Sequence, residues 1–168
     1  MLSDFKEVKM NREITLRNQG YQPTMSIRKI CPQENLPKTI GESYEKIMYY
    51  LKEHGTGPSD APYVAYLNMD LENPDMEHLD VEIGFPVMYE LPGNDEIKPG
   101  KYAEGPIASY TYKGPYKDMN TAYDAMFKWI AENGYVTTGV YYEVYLNAPT
   151  DVQEADYLTR IEIPVKKA

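Results

Sequence analysis

Apolar positions recur at helical spacing in two places along the chain. Within 36–55, Ile40, Tyr44, Ile47, Met48 and Leu51 fall on one side of a helix, and Met119, Tyr123, Met126, Phe127 and Ile130 repeat the stripe further on. The spacing predicts helices over 38–54 and 118–133. Gly55 and Gly134 follow them, where a helix C-terminus favours a residue that tolerates left-handed backbone. The segments after each helix change to period two, as half-buried strands do. In 140–146, Val140, Tyr142, Val144 and Leu146 oppose Tyr141, Glu143 and Tyr145. In 159–163, Thr159, Ile161 and Ile163 oppose Arg160 and Glu162. The more apolar set is expected to receive the helix. Tyr141, Glu143, Tyr145, Arg160 and Glu162, with Val64, Tyr66, Glu82 and Gly84 from the earlier strands, are then expected on the face away from it. Ahead of the first helix, 13–32 is predicted as two strands around a turn at Gly20 to Pro23. The segment 100–115 matches the second of these, with Tyr110 and Tyr112 on one face.

These elements are one pattern written twice. A shift of 79 positions (44 to 123) superposes Lys38 on Lys117, Tyr44 on Tyr123, Glu53 on Glu132 and Gly55 on Gly134. The same shift lays "YVAYLN" (63–68) over the end of "YYEVYLN" (141–147), with Val64 falling where the second copy has Glu143. With one residue removed, "EIGFPV" (82–87) lies over "RIEIPV" (160–165). The expected organisation is a single domain over 1–168, made of repeats at about 12–88 and 100–166 joined by a Pro/Gly-rich connector at 89–99. Each repeat reads strand, helix, strand, strand. Neither closes its sheet alone, so the fold class is α+β: a tandem pseudo-twofold pair of modules with antiparallel strands and the helices on one side.

Composition narrows the function classes. Formal net charge is −9, with no basic run, so nucleic acid is not expected as a direct partner. Acids concentrate between Asp70 and Glu104. One cysteine, Cys31, excludes an internal disulfide framework and fits a cytoplasmic setting. No segment approaches the length of a membrane span. No His/Cys spacing suggests a metal, no phosphate loop or Ser/His/Asp signature is present, and no cofactor is expected. His54 and His78 are expected on the surface. The 17 tyrosines, against 3 Phe and 1 Trp, suit an aromatic-lined cleft.

"ASYTYKGPYKDM", "AMFKWIAENGY", "YYEVYLNAP" and "IEIPVK", in that order, resemble the GyrI-like small-molecule-binding family, which includes gyrase-inhibitor-like proteins and effector-binding domains of AraC-type and multidrug-responsive regulators. "QPTMSIRKICPQENLPKTIG" resembles its first module. The resemblance implies a ligand groove on the sheet face away from the helices, taking hydrophobic, planar or cationic aromatic molecules against a central glutamate, Glu143, in a role of xenobiotic or toxin protection. The implied ligand-binding residues are Tyr110, Tyr112, Trp129, Tyr141, Glu143, Tyr145, Arg160, Glu162, Tyr66 and Glu82. Arg160 stands where many relatives carry an acid, and could pair with Glu143 or Glu82; Tyr112 stands where many carry histidine. The sequence leaves no room for a helix-turn-helix, so a stand-alone binding form is expected. The alternative implied activity is hydrolysis of cyclopropane-bearing DNA-alkylating toxins, with Glu143 and Tyr112 catalytic. A further alternative is a protein partner, as in gyrase inhibition, and a homodimer is also compatible.

Overall fold

The computed structural model describes residues 14–168. Nine strands and two helices follow in the order β1 (Thr15–Gln19), β2 (Pro23–Cys31), α1 (Leu36–Glu53), β3 (Tyr63–Tyr66), β4 (Leu79–Pro86), β5 (Lys98–Lys101), β6 (Gly105–Lys113), α2 (Asn120–Glu132), β7 (Tyr135–Thr137), β8 (Tyr141–Tyr145) and β9 (Leu158–Lys167). Both helices form where the apolar stripes predict them, and both are followed by a glycine with positive φ, +68° at Gly55 and +80° at Gly134. Met48 departs from its stripe and is 44% exposed.

All strand pairs are antiparallel, in the order β1-β6-β9-β8-β3-β4-β2-β5, with β7 on the C-terminal end of β9. The order reads the same from either end when repeat counterparts are exchanged. At the centre, β3 pairs β8 with Val64 opposite Glu143, and the 79-position shift converts each of these two residues into the other. The pseudo-twofold axis therefore passes between them. The first strand of each repeat lies on the far edge of the other repeat: β1 pairs β6, and β5 pairs β2. The β1–β2 and β5–β6 links are three residues each (20–22 and 102–104), so they pull the two ends of the sheet together. They meet where the Tyr102 N–H donates to the Gln22 carbonyl at 3.1 Å. The sheet is thereby curled into a half-barrel.

The helices cover the outer face of this curl. Ile47 and Leu51 pack with Met25, Ile27 and Phe85, and Met126 and Ile130 pack with Ala108, Ile161 and Ile163. The inner face is filled by Tyr63, Ala65, Tyr102, Tyr142 and Val144. The three inner tyrosines touch ring to ring, Tyr102 meeting Tyr142 edge-on at 5.0 Å and Tyr63 at 4.8 Å. Both faces are therefore packed, and this overturns one expectation. Tyr141, Glu143 and Tyr145 face the helices, whereas Tyr142 and Val144 face inward. Polarity marks the less apolar side of a strand, but here each side has its own cover.

Candidate functional site

Glu143 lies mid-strand in β8, in a row running across the outer face as Tyr110, Ile161, Glu143, Val64, Ile83 and Ile27. It is the one ionisable carboxylate in an otherwise apolar and aromatic row. Its two oxygens are held by hydroxyls: Tyr123 of α2 donates to Oε2 at 2.6 Å, and Tyr145 of the same strand to Oε1 at 3.0 Å. Tyr145 reaches it because residues two apart on a strand share a face. Tyr123 reaches it because the α2 stripe turns toward the sheet.

The counterparts of both tyrosines complete the enclosure. Tyr44 on α1 and Tyr66 on β3 lie close enough for the Glu143 charge to raise their pKa values, on top of the larger effect of burial. Two repeat-related tyrosine pairs, Tyr44/Tyr123 and Tyr66/Tyr145, thus lie within electrostatic reach of a single acid, and Tyr123 and Tyr145 bond it directly. The Tyr44 hydroxyl, which has valine rather than glutamate on its own side of the axis, donates to the Tyr63 carbonyl at 3.3 Å. Beyond them Tyr116 meets Tyr145 at 5.9 Å and stacks on Tyr157 at 4.8 Å.

Glu143 is only half-buried, yet burial is the main influence on its carboxyl and pushes its pKa above the ordinary glutamate value; the two tyrosine hydrogen bonds oppose that rise. Dense aromatic surroundings are thus combined with residual exposure of the carboxylate on the outer face. Among the described residues no Arg, Lys or His contacts it. Arg160 does not pair with Glu143 or Glu82: its Nε donates to Glu162 at 3.1 Å, and its Nη2 lies 3.9 Å from Asp60.

Of the residues the sequence singled out, Tyr66, Tyr141, Glu143 and Tyr145 come together on the outer face. Tyr110 shares that face two strands away. The Tyr112 hydroxyl donates to the Pro115 carbonyl at 2.7 Å and lies under Gly114, closing a turn rather than reaching Glu143. Trp129 is six positions beyond Tyr123, about 120° round the helix from it, and packs on the α2 core away from Glu143. Arg160, Glu162 and Glu82 belong to the inner face, where Tyr63 donates to Glu82 at 2.7 Å. Tyr44, Tyr116, Tyr123 and Tyr157 were not singled out as site residues. The signal for two of them was present: a stripe facing only apolar packing has no need of a hydroxyl at the same position in both repeats.

Among the described residues no group of His, Cys, Asp and Glu could hold a metal ion, and no helix is long and apolar enough to cross a membrane. A curled antiparallel sheet, two helices on its outer face and a cluster of tyrosines around one glutamate make an α+β domain of tandem repeats. The chain belongs to the GyrI-like small-molecule-binding domain family, which matches residues 13–166. Similar solved structures include the C-terminal domain of EcmrR, 23% identical, with a TM-score of 0.69 over 92% of this chain and 98% of that one. A hydrolase from Listeria innocua is 13% identical, with a TM-score of 0.70 over 98% of each chain. SAV2435 bound to tetraphenylphosphonium is 13% identical, with a TM-score of 0.65 over 92% of this chain and 94% of that one. At these identities the likeness is one of fold. No curated protein matches the chain.

Proposed function

We propose that the outer face around Glu143 forms a cleft between the helices that binds lipophilic, planar or aromatic cations, with Glu143 as the countercharge, in a role of xenobiotic or toxin protection. One observation carries this: a half-buried carboxylate held by Tyr123 and Tyr145, with no basic partner among the described residues. A carboxylate in such surroundings has lost part of its hydration without gaining a countercharge. A large cation with an apolar surface supplies that charge, and each aromatic face it meets adds about 0.5–2 kcal/mol. SAV2435, of the same fold, was solved with such a cation.

Titration with tetraphenylphosphonium, followed by tyrosine and tryptophan fluorescence, tests the proposal. Glu143→Gln keeps nearly the same side-chain volume, so the fold should persist. Its affinity for the cation should fall about ten- to a hundredfold, the loss of a Coulombic attraction of roughly 1.5–3 kcal/mol between unit charges about 6–10 Å apart at an effective dielectric constant of about 20. Triphenylphosphine oxide, which is neutral, should bind both proteins alike. Equal cation affinity in wild type and Glu143→Gln would refute the assignment.

A second reading has support from the same geometry. A glutamate with a raised pKa next to tyrosine hydroxyls is equipped to take a proton from water. In a hydrolase of cyclopropane-bearing electrophiles, the water oxygen would bond to a ring carbon as the ring C–C bond breaks toward a conjugated carbonyl. Glu143 would accept the proton lost by the water, and the enolate formed at the carbonyl would take one up from solvent, so that the product gains one water. The accompanying tyrosine would be Tyr123 or Tyr145, since Tyr112 is engaged elsewhere. Product heavier by one water, formed by wild type and not by Glu143→Gln, would favour this reading; intact ligand favours the first.

A further inference from the structure

The two repeats differ by one strand. In the second, β7 continues the line of β8 along the edge of β9, pairing Tyr135 with Lys167, Val136 with Lys166 and Thr137 with Val165. The 79-position shift (56 to 135) lays Thr56, Gly57 and Pro58 over β7. The alignment of 82–87 on 160–165, carried on, lays Met88 and Tyr89 over Lys166 and Lys167. One bond is shared: the Ser59 N–H donates to the Pro86 carbonyl at 2.9 Å, as the Thr138 N–H does to the Pro164 carbonyl at 3.2 Å. Past that bond the repeats part. Glycine and proline disfavour a strand, Pro58 has no N–H, and the Thr56 N–H turns back to the Leu51 carbonyl at 3.0 Å. No strand forms over 56–58, and Met88 and Tyr89 make a bend whose backbone has no hydrogen bond among the described residues.

The Met88 N–H points to the side left open. The Val87 carbonyl accepts from Gln22 Nε2 at 2.8 Å, which stands in for the N–H that Pro23 lacks, and in a trans peptide the next N–H points opposite to that carbonyl. A second observation falls at the same place. A cavity of about 420 Å3 is bordered there by Tyr21, Ser59, Val87, Met88, Tyr89 and Glu90, among others. Three of its walls are large and exposed, Tyr21 at 55%, Met88 at 77% and Tyr89 at 51%. Among the described residues its lining carries one charged side chain, Glu90, and no Arg, Lys or His. Glu104, itself paired with Lys101, also lies within electrostatic reach of Tyr21. An open backbone donor, exposed apolar walls and a carboxylate without a basic neighbour in the lining suit an extended polypeptide with apolar and basic side chains.

We propose that this edge docks an extended segment of a partner protein, an apolar residue flanked by Arg or Lys, which adds as a strand beside Met88 and seats a side chain in the cavity. The segment takes the place that β7 holds in the second repeat, and its pairing extends β4 by the residues that β9 already has. The surface is separate from Glu143: Met88 lies five positions beyond Ile83, the member of the Glu143 row on β4.

The probe is the peptide Lys-Tyr-Val-Thr-Arg, blocked at both ends, which sets the β7 sequence between two basic residues. Titrated into the isotope-labelled full chain, it should move the amide NMR signals of Met88, Tyr89 and Glu90 saturably and slow hydrogen exchange at Met88. N-methylation of the peptide's valine, the equivalent of Val136, removes the donor that faces the Met88 carbonyl and should weaken binding about fivefold or more. Glu-Tyr-Val-Thr-Glu should bind wild type about fivefold more weakly than the basic peptide. Glu90→Lys, at an exposed position, should fold normally and abolish or reverse that preference. Tetraphenylphosphonium should leave the three amides where they are. The proposal is overturned by shifts that do not saturate or that fall elsewhere on the chain, by equal binding of the N-methylated peptide, or by indifference to peptide charge. Movement of the three amides by tetraphenylphosphonium would also overturn it, and would make the cavity a site for small cations.

Discussion

At the scale of single residues, Glu143 sets a pH dependence whose sign follows from its surroundings. Burial raises its pKa, so the folded protein holds the proton at a pH where an ordinary glutamate, near 4.3, has released it. A permanent cation such as tetraphenylphosphonium has no titration of its own. Its affinity should therefore decline on acidification with a midpoint above the ordinary glutamate value, and Glu143→Gln should flatten the profile. Stability runs the opposite way. Between the unfolded and folded pKa values the native state binds more protons than the unfolded chain, so wild type loses stability relative to Glu143→Gln as pH rises through that window. Urea midpoints of the two proteins across mildly acid to neutral pH provide the check; a constant difference would mean that the Glu143 pKa is not raised by folding.

At the scale of elements, β4 shows how closely the strands are fitted. A Cβ added at Gly84 would stand 2.6 Å from the Met25 carbonyl oxygen, 2.8 Å from Ser26 Cβ and 2.9 Å from the Tyr63 hydroxyl. Two of these belong to β2, so Gly84→Ala must push paired strands apart. It should cost about 1–3 kcal/mol, read as a lower urea midpoint with an unchanged slope. An unaltered midpoint would mean that β2 and β4 separate freely. The elements also mark what the sequence made legible. Both helices were, because a helical stripe faces one cover only. The phase of β8 and β9 was legible too, and so was the side of β9, but not that of β8. Tyr142 at 6% and Val144 at 1% are as buried inward as Ile161 and Ile163 are outward. β5 straddles the expected connector (89–99) and strand segment (100–115) and was not legible as a strand of its own, because Lys98–Lys101 is exposed throughout and has no alternation. The Arg17–Glu162 pair joins positions 145 apart, and no local pattern announces such a partner.

At the scale of the whole molecule, the exchange of β1 and β5 makes the repeats interdependent. Fragments 14–88 and 89–168 each lack the strand that covers an edge, and each would expose its share of the inner tyrosines. Expressed alone, neither should show cooperative unfolding or dispersed NMR signals; mixed, they should recover both. A fragment that folds by itself would show the exchange to be dispensable. The register at the axis has a different kind of consequence. In a dimer of identical chains, any group beside the twofold axis is present twice. Glutamates at both central positions would face each other across about 5 Å, repel, and share one proton near neutrality. Carrying both copies on a single polypeptide removes that obligation: one copy keeps the acid and the other keeps a valine. The cleft can then present one full negative charge at its centre of near-symmetry, which a ring of identical subunits could not do.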